Sequence, residues 1–574
     1  LPMMITLVLS SNVKRMLKNN VLVRKLTGIE TAGSINILFS DKTGTITKGN
    51  LEVTHFLDSD LKKYDSFDKI GNNLKEIALI SLVYNNASSY DKDKIIGGNI
   101  TDRAILKFTN IKDKSLYTII DTVPFDSKNK YSSTTLKYKN ENIYLIKGAP
   151  EVVLKQCEFY FDSEGNKKFL RKKLIIEDNL KKLTKEGNRI IAFASSKEHA
   201  KNLTLVGFVL IKDEIRKEAF EGIDLVKKAS IQTVMVTGDN KLTALAIAKE
   251  VGLYQEGDLI LTSDEMKNMS DEKLKEVLPK LRVVARAIPQ DKSRLVRISQ
   301  ELDLVVGMTG DGVNDAPALK RADVGFAFGS GTEVAKEASE IVILDNNFLS
   351  IAKAILFGRT IFKSIRKFII FQLTVNICAV SLSIIGPFIG VDTPVTVIQM
   401  LWINMVMDTL AALAFSFEAP LKEYMEEKPK RRDEPIINQY MKDEILFTGI
   451  YSTLICILFL KLPIFHQLFR SGEQYILTAF FRLFIFISIF NSFNARTHRL
   501  NLLSHLSGNK AFIFIISFIF VVQILLIYFG GELFRTSGLT FLEFQIMFLL
   551  SFTVVPVDFL RKIYLRKKGI IGGV

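Results

Sequence analysis

The sequence predicts two architectures in one chain. One is an α/β, doubly wound parallel sheet with an inserted α+β domain, and the other is an all-α membrane bundle of six helices preceded by a half-helix. Three observations predict them. Charge-poor apolar stretches recur after residue 368, short β-branched runs ending in Gly/Asp turns recur between 35 and 315, and a Lys/Asn/Ser-rich segment at 51–206 interrupts the second rhythm. The 574 residues exceed a single core, and 48% apolar residues with a mean hydropathy of +0.20 exceed what an ordinary water-soluble chain carries.

Residues 1–13, LPMMITLVLSSNV, are apolar but lack an initiator Met, a basic leader and a cleavage site. As a helix they rise about 20 Å against roughly 30 Å of hydrocarbon, so they read as half of a membrane helix and the chain as a fragment. A stalk follows at 14–33. The strand, polar loop, helix rhythm is carried by INILFSDKTGT (35–45), QTVMVTGDN (232–240) and LVVGMTGDGVND (304–315), which assigns 34–49 and 208–350 to the sheet domain. In such sheets ligands bind beyond the carboxyl ends of the strands. Residues 50–207 form the inserted domain and 351–367 a second stalk.

The membrane domain, 368–574, holds spans at 368–391, 393–417, 445–460, 475–495, 511–530 and 540–557. Lys and Arg concentrate at 421–442 and from Arg561 to Lys568. Those segments therefore face the cytosol, and with them residues 14–366 and the C-terminus. The same orientation accounts for the formal net charge of +15. The basic residues are not clustered with stacking aromatics, so no nucleic acid is expected as a partner. Cys157, Cys378 and Cys456 are odd in number and widely spaced, which indicates neither a disulfide framework nor a thiolate zinc site.

Chemistry concentrates at the strand ends. Asp41 opens DKTGT, where a carboxylate beside backbone N–H groups can attack phosphorus and form an aspartyl phosphate. That reaction needs a magnesium ion and a cation to spread the phosphoryl charge. Lys292 in PQDKS and Asp311, Asn314 and Asp315 in GDGVND are candidates, with the spacing of Asp311 and Asp315 suiting a metal ligand and its support. In the membrane, Asp408 needs a partner or a cation. Asn404 lies four residues before it, on one helix face, and Asn376 on the preceding span adds an oxygen at similar depth. Calcium wants six to eight oxygens, so these three alone are insufficient.

DKTGT (41–45), KGAPE (147–151), MVTGD (235–239) and MTGDGVNDAPALKRADVGFAFGSGTEVAKEAS (308–339), in this order, make the chain resemble the P-type cation-transporting ATPases. The resemblance implies a haloacid-dehalogenase-like phosphorylation domain in which ATP phosphorylates Asp41. Magnesium is then held by Asp41, the Thr43 carbonyl and Asp311, and Lys292 contacts the phosphoryl group. It further implies that Thr237, Gly238, Asp239, Arg286 and Asn314 serve the nucleotide. The insert becomes a nucleotide-binding domain with Phe125 stacking on adenine and Asp102, Lys130, Lys147, Gly148 and Arg189 around it. Phosphatases of the same class carry a second Asp two residues after the nucleophile; here it is Thr43, so the phosphoenzyme should persist. The family's TGE loop is absent from the sequence, which places an actuator domain and the first membrane helices upstream. KDEIR (212–216) lacks the prolines usual at that point, leaving hinge rigidity in question.

QLTVN on one span and LWINMVMDT on the next are most similar to calcium pumps of plasma-membrane type. Ala379 and Ser488 stand where two-ion pumps have acidic groups, which implies one calcium per cycle, with proton counter-transport open. The resemblance thus implies a monomeric multi-pass pump of the cell membrane. Alternatives are a pump for sodium, potassium or protons, a haloacid-dehalogenase-type phosphatase, and a non-catalytic membrane scaffold.

Overall fold

The computed structural model describes residues 2–113, 115–126, 129–138, 141–198, 202–391, 394–470 and 472–570. Leu1, the first residue of the expected half-helix, and 571–574 lie outside them.

An eight-stranded sheet is built from β1 (Val21–Val23), β2 (Ile37–Asp41), β3 (Gln232–Val236), β4 (Leu259–Thr262), β5 (Leu281–Ala285), β6 (Val306–Gly310), β7 (Val324–Phe328) and β8 (Ile341–Ile343). Its order is β1-β8-β7-β6-β2-β3-β5-β4. All neighbours are parallel except β1 and β8. Ile37, Leu38 and Phe39 are all buried, as the unbroken apolar run of a strand covered on both faces requires. β2 lies centrally, flanked by β3 and β6, so the chain reverses its winding direction at the end of β2. That is where such a sheet leaves a crevice for ligands.

The inserted domain is a second, mostly antiparallel sheet of nine strands. The chain leaves the first domain along the strand Thr47–Asp58 and returns along Leu203–Ile215, and these pair from Gly207 opposite Asp58 down to Ile215 opposite Thr47. KDEIR lies in this ladder, where a proline would remove a donor. The two domains are therefore joined by a paired ribbon.

Helix α1 (Pro2–Leu17) is followed by α2 (Phe348–Ile385), α3 (Val397–Ser416), α4 (Gln439–Lys461), α5 (Glu473–Arg496) and α6 (Lys510–Phe529). Among the described residues, α2 to α6 are the five helices long and apolar enough to cross a membrane. α2 runs unbroken through the expected stalk and first span, and ends at Gly386 and Pro387 rather than at 391. The segment at 540–557, expected as one span, is two helices, Phe541–Phe552 and Val554–Lys567, meeting at Thr553. Pro556 explains the break, since its nitrogen cannot donate to the carbonyl of Phe552 and its ring crowds it. α5 is the bundle's centre, with 83% of its apolar window buried against 33% for α6. Asn12 on α1 donates to the Ser416 carbonyl (3.0 Å), and Arg15 to that of Glu418 (3.0 Å), which ties α1 to the end of α3.

Candidate phosphorylation, nucleotide and cation sites

Asp41 closes β2, and its N–H donates to Thr309 Oγ1 (2.8 Å) on the adjacent β6. Thr43 beyond it is exposed, and Gly44 takes φ +79°, the left-handed turn that returns the loop to the ribbon. Lys292, on the helix Pro289–Glu301, donates to Asp41 Oδ2 (3.2 Å) and to Asp315 Oδ1 (2.8 Å). Asp315 Oδ2 accepts the N–H groups of Asp311 (3.2 Å) and Gly312 (3.3 Å). Carboxylate oxygens of Asp41, Asp311 and Asp315 lie within 4.8 Å of one another. Three carboxylates against one ammonium leave the mouth negative. Partial burial, and then the charges of Asp41 and Asp315, raise the Asp311 carboxyl above its ordinary pKa. Burial opposes the charge on Lys292, yet Asp41 and Asp315 outweigh it and hold that ammonium above the usual lysine value.

An all-oxygen set around a negative mouth fits a hard divalent cation such as magnesium. Asp41, the Thr43 carbonyl and Asp311 are the residues that would hold it. Asp315 is already engaged with Lys292 and two backbone donors, so it positions its neighbours. A Cβ on Gly310 would come within 2.5 Å of Asp315 Cβ, so this glycine leaves room for the clamp.

Lys42 is buried and pairs with Asp239 (2.9 Å) and Asp213 (3.2 Å). Asp213 also accepts from Thr47 Oγ1 (2.6 Å) and the Gly49 N–H (3.0 Å), while Arg216 donates to the Gly44 carbonyl (3.2 Å). Asp213 and Arg216 of KDEIR thus hold the DKTGT loop. Asp239 joins the sheet site through Lys42. Thr237 Oγ1 accepts the Asp239 N–H (3.1 Å), and Gly238 has open space about it. Arg286 follows β5 with φ +51°, exposed, its N–H donating to the Asp239 carbonyl (2.8 Å). Asn314 is exposed beside Asp315.

In the inserted domain a cavity of about 600 Å³ is lined by Asp102, Phe125, Lys130, Lys147, Gly148 and Arg189, with Asn240 and Leu242 of the sheet domain at its edge. The six residues expected around a nucleotide therefore share one cavity. Phe125 is 55% exposed, a ring face free to stack. Lys147 is buried in an ion pair with Asp102, and burial lowers its pKa despite that partner. Gly148 has a reason the sequence did not suggest: a Cβ there would meet the Lys130 carbonyl at 2.5 Å and Tyr131 Cβ at 2.6 Å, so the crossing of its own strands demands glycine.

In the bundle, Asp408 is fully buried and Gln372 on α2 donates to its Oδ2 (3.4 Å). Its Oδ1 is unpartnered among the described residues. Asn376 is half-buried, but Asn404 is exposed. Trp402–Met407 winds as a π-helix, and the widened turn upsets the simple four-residue face that pairs Asn404 with Asp408. Gln372, one turn before Asn376, opens the QLTVN run, but its own contact with Asp408 depends on how α2 packs against α3 and is not specified by that motif.

With this geometry in hand, three family profiles match the chain. "Haloacid dehalogenase-like hydrolase" covers residues 298–355, "P-type ATPase, cytoplasmic domain N" covers 73–218, and "Cation transporting ATPase, C-terminus" covers 392–564. The chain belongs to the P-type cation-transporting ATPases. Within them it is similar to the plasma-membrane-type calcium-transporting ATPases. It is 34% identical to the calcium-transporting ATPase PAT1 of Dictyostelium discoideum, over 99% of this chain and 56% of that protein. It is 33% identical to the putative calcium-transporting ATPase 13, plasma membrane-type, of Arabidopsis thaliana (98% and 58%). It is 34% identical to the plasma membrane calcium-transporting ATPase 1 of Mus musculus (94% and 49%). The chain spans about half the length of these relatives.

Proposed function

We propose that this chain drives calcium across a membrane at the expense of ATP through an aspartyl phosphate on Asp41. The observation that carries the proposal is Lys292 bridging Asp41 and Asp315, with the Asp311 carboxylate in the same cluster. ATP docks in the cavity, adenine on Phe125, with Lys130 and Arg189 at the rim; Thr237, Gly238, Asp239, Arg286 and Asn314 border the phosphates. An Asp41 carboxylate oxygen attacks the γ-phosphorus, the bond to the bridging oxygen breaks, and ADP leaves. Magnesium, where bound, would neutralise phosphoryl oxygens. Lys292 offsets the remaining charge. Thr43 supplies no general acid two residues on, so the acyl phosphate lasts long enough to be coupled to transport.

Asp408, with Gln372 and Asn376, forms the core of the calcium site, and Asn404 completes it after a rearrangement of the π-helical turn. α2 connects the two ends, since it begins against the sheet domain and carries Gln372 and Asn376 in the bundle. Phe541–Phe552 and Val554–Lys567 together make a sixth crossing, which returns the C-terminus to the cytosolic side with the large domains, in the cell membrane. The test is acid-stable, hydroxylamine-sensitive labelling of the protein in membranes by γ-labelled ATP. Labelling that needs calcium and disappears in Asp41→Asn supports the reading, and calcium-independent labelling, or none, overturns it.

A further inference from the structure

Cys378 and Cys456, 78 residues apart and on different membrane helices, come together in the bundle. Cys378 is on α2 and Cys456 on α4. Both side chains are buried free thiols that face the same small pocket. They line a small void of about 10 Å³ with Thr374, Ser452, Ser488 and Asn491, room for one water-sized occupant. Among the described residues, one oxygen facing this region, Ser452 Oγ, is buried without a hydrogen-bond partner, while Asn491 Oδ1 accepts from Asn494 Nδ2 (3.4 Å). Two sulfurs, an adjacent hydroxyl and space of atomic size between them describe a ligand site.

The identity of the occupant follows from charge. The hydroxyl and amide oxygens here are neutral, so a calcium ion would bring an uncompensated double charge into the bilayer. A thiophilic divalent ion such as Zn²⁺ or Cd²⁺ displaces one proton from each thiol. Two S–H bonds break, two metal–sulfur bonds form, two protons leave to water, and the assembly of M²⁺ with two thiolates is neutral. Thiolate sulfur also selects such ions over hard cations. Cys378 lies six residues beyond Gln372, about 9 Å along α2, so an ion admitted to the calcium site has a short path to the thiols.

We propose that Cys378 and Cys456, assisted by the Ser452 hydroxyl, form a binding site for one thiophilic divalent cation that clamps α2 to α4. Because α2 also carries Gln372 and Asn376, occupancy restrains the helix that transport requires to move. The site itself stands whether or not calcium is the transported ion.

The test titrates the purified protein in detergent with Cd²⁺, in a Cys157→Ser background that removes the remaining thiol. The expected result is an ultraviolet thiolate-to-cadmium absorption band saturating at one ion per chain, and abolished by Cys378→Ser and by Cys456→Ser separately. Monodisperse elution and an unchanged melting temperature of the purified protein in detergent verify folding of the bundle in each variant, with Cys→Ala replacing any Ser variant that fails. Absence of the band in the Cys157→Ser protein, or its survival when both membrane cysteines are replaced, overturns the proposal.

Discussion

Replacing Asp315 with Asn tests the phosphorylation site without touching the nucleophile. Asp315 is 9% exposed at its side chain and Lys292 11%. One oxygen holds the Lys292 ammonium at 2.8 Å, and the other accepts two N–H groups from the loop that carries Asp311. The amide removes the charge facing Lys292. It also either turns its NH₂ toward the loop donors or loses the Lys292 contact. Breaking a buried ion pair costs about 3–5 kcal/mol, but Lys292 keeps Asp41 at 3.2 Å, so the loss is that of a charged hydrogen bond, about 1.5–3 kcal/mol. At 1.4 kcal/mol per decade, this predicts a fall of roughly 10- to 150-fold in the rate of phosphoenzyme formation. Rapid-quench labelling by γ-labelled ATP measures it. A rate within twofold of the unmodified protein would refute the idea that Asp315 positions both Lys292 and the Asp311 loop.

Other perturbations test separate parts. Phe125→Ala removes an exposed ring, so nucleotide affinity falls by about tenfold, the stacking contribution being about 1–3 kcal/mol, while circular dichroism and melting of the protein are unchanged. Lys147→Met leaves Asp102 buried without its partner, and loss of about 3 kcal/mol or more from the inserted domain should appear as early proteolysis of that domain. Asp311→Asn is predicted to stabilise the magnesium-free protein near neutral pH. The folded state raises this carboxyl's pKa, so its ionisation costs stability as pH rises through the unfolded value, and the Asn variant escapes that cost. A higher melting temperature without magnesium, and a smaller magnesium-induced shift, are the expected readings by differential scanning fluorimetry.

Much of the site was readable because its residues sit in loops at strand ends, and the parallel order of β3, β2 and β6 brings those loops together. DKTGT, MVTGD and GDGVND announce both the strand before them and the turn after. Side-chain partnerships were less legible. The Lys42 pairing with Asp213 and Asp239 depends on the return of the Leu203–Ile215 strand beside the strand that leaves, a register that sequence spacing does not specify. The clash behind Gly148 likewise comes from a neighbouring strand, Lys130 to Tyr131. In the membrane, apolar length marked the helices but not their internal geometry. The π-helical turn at Trp402–Met407 and the exposure of Asn404 leave no periodic trace, and the break at Thr553, which Pro556 explains, was passed over because the apolar run continues across it. The proximity of Cys378 and Cys456 needed the packing of α2 on α4.

The coupling of a phosphorylated sheet to a buried carboxylate is tested most directly by calcium-dependent phosphorylation of Asp408→Asn. If Asp408 holds the transported ion, this variant should lose its response to calcium in ATP labelling while still being phosphorylated by inorganic phosphate, which engages the sheet-domain cluster around Asp41 and not the bundle carboxylate. An unchanged calcium response in Asp408→Asn would contradict the account.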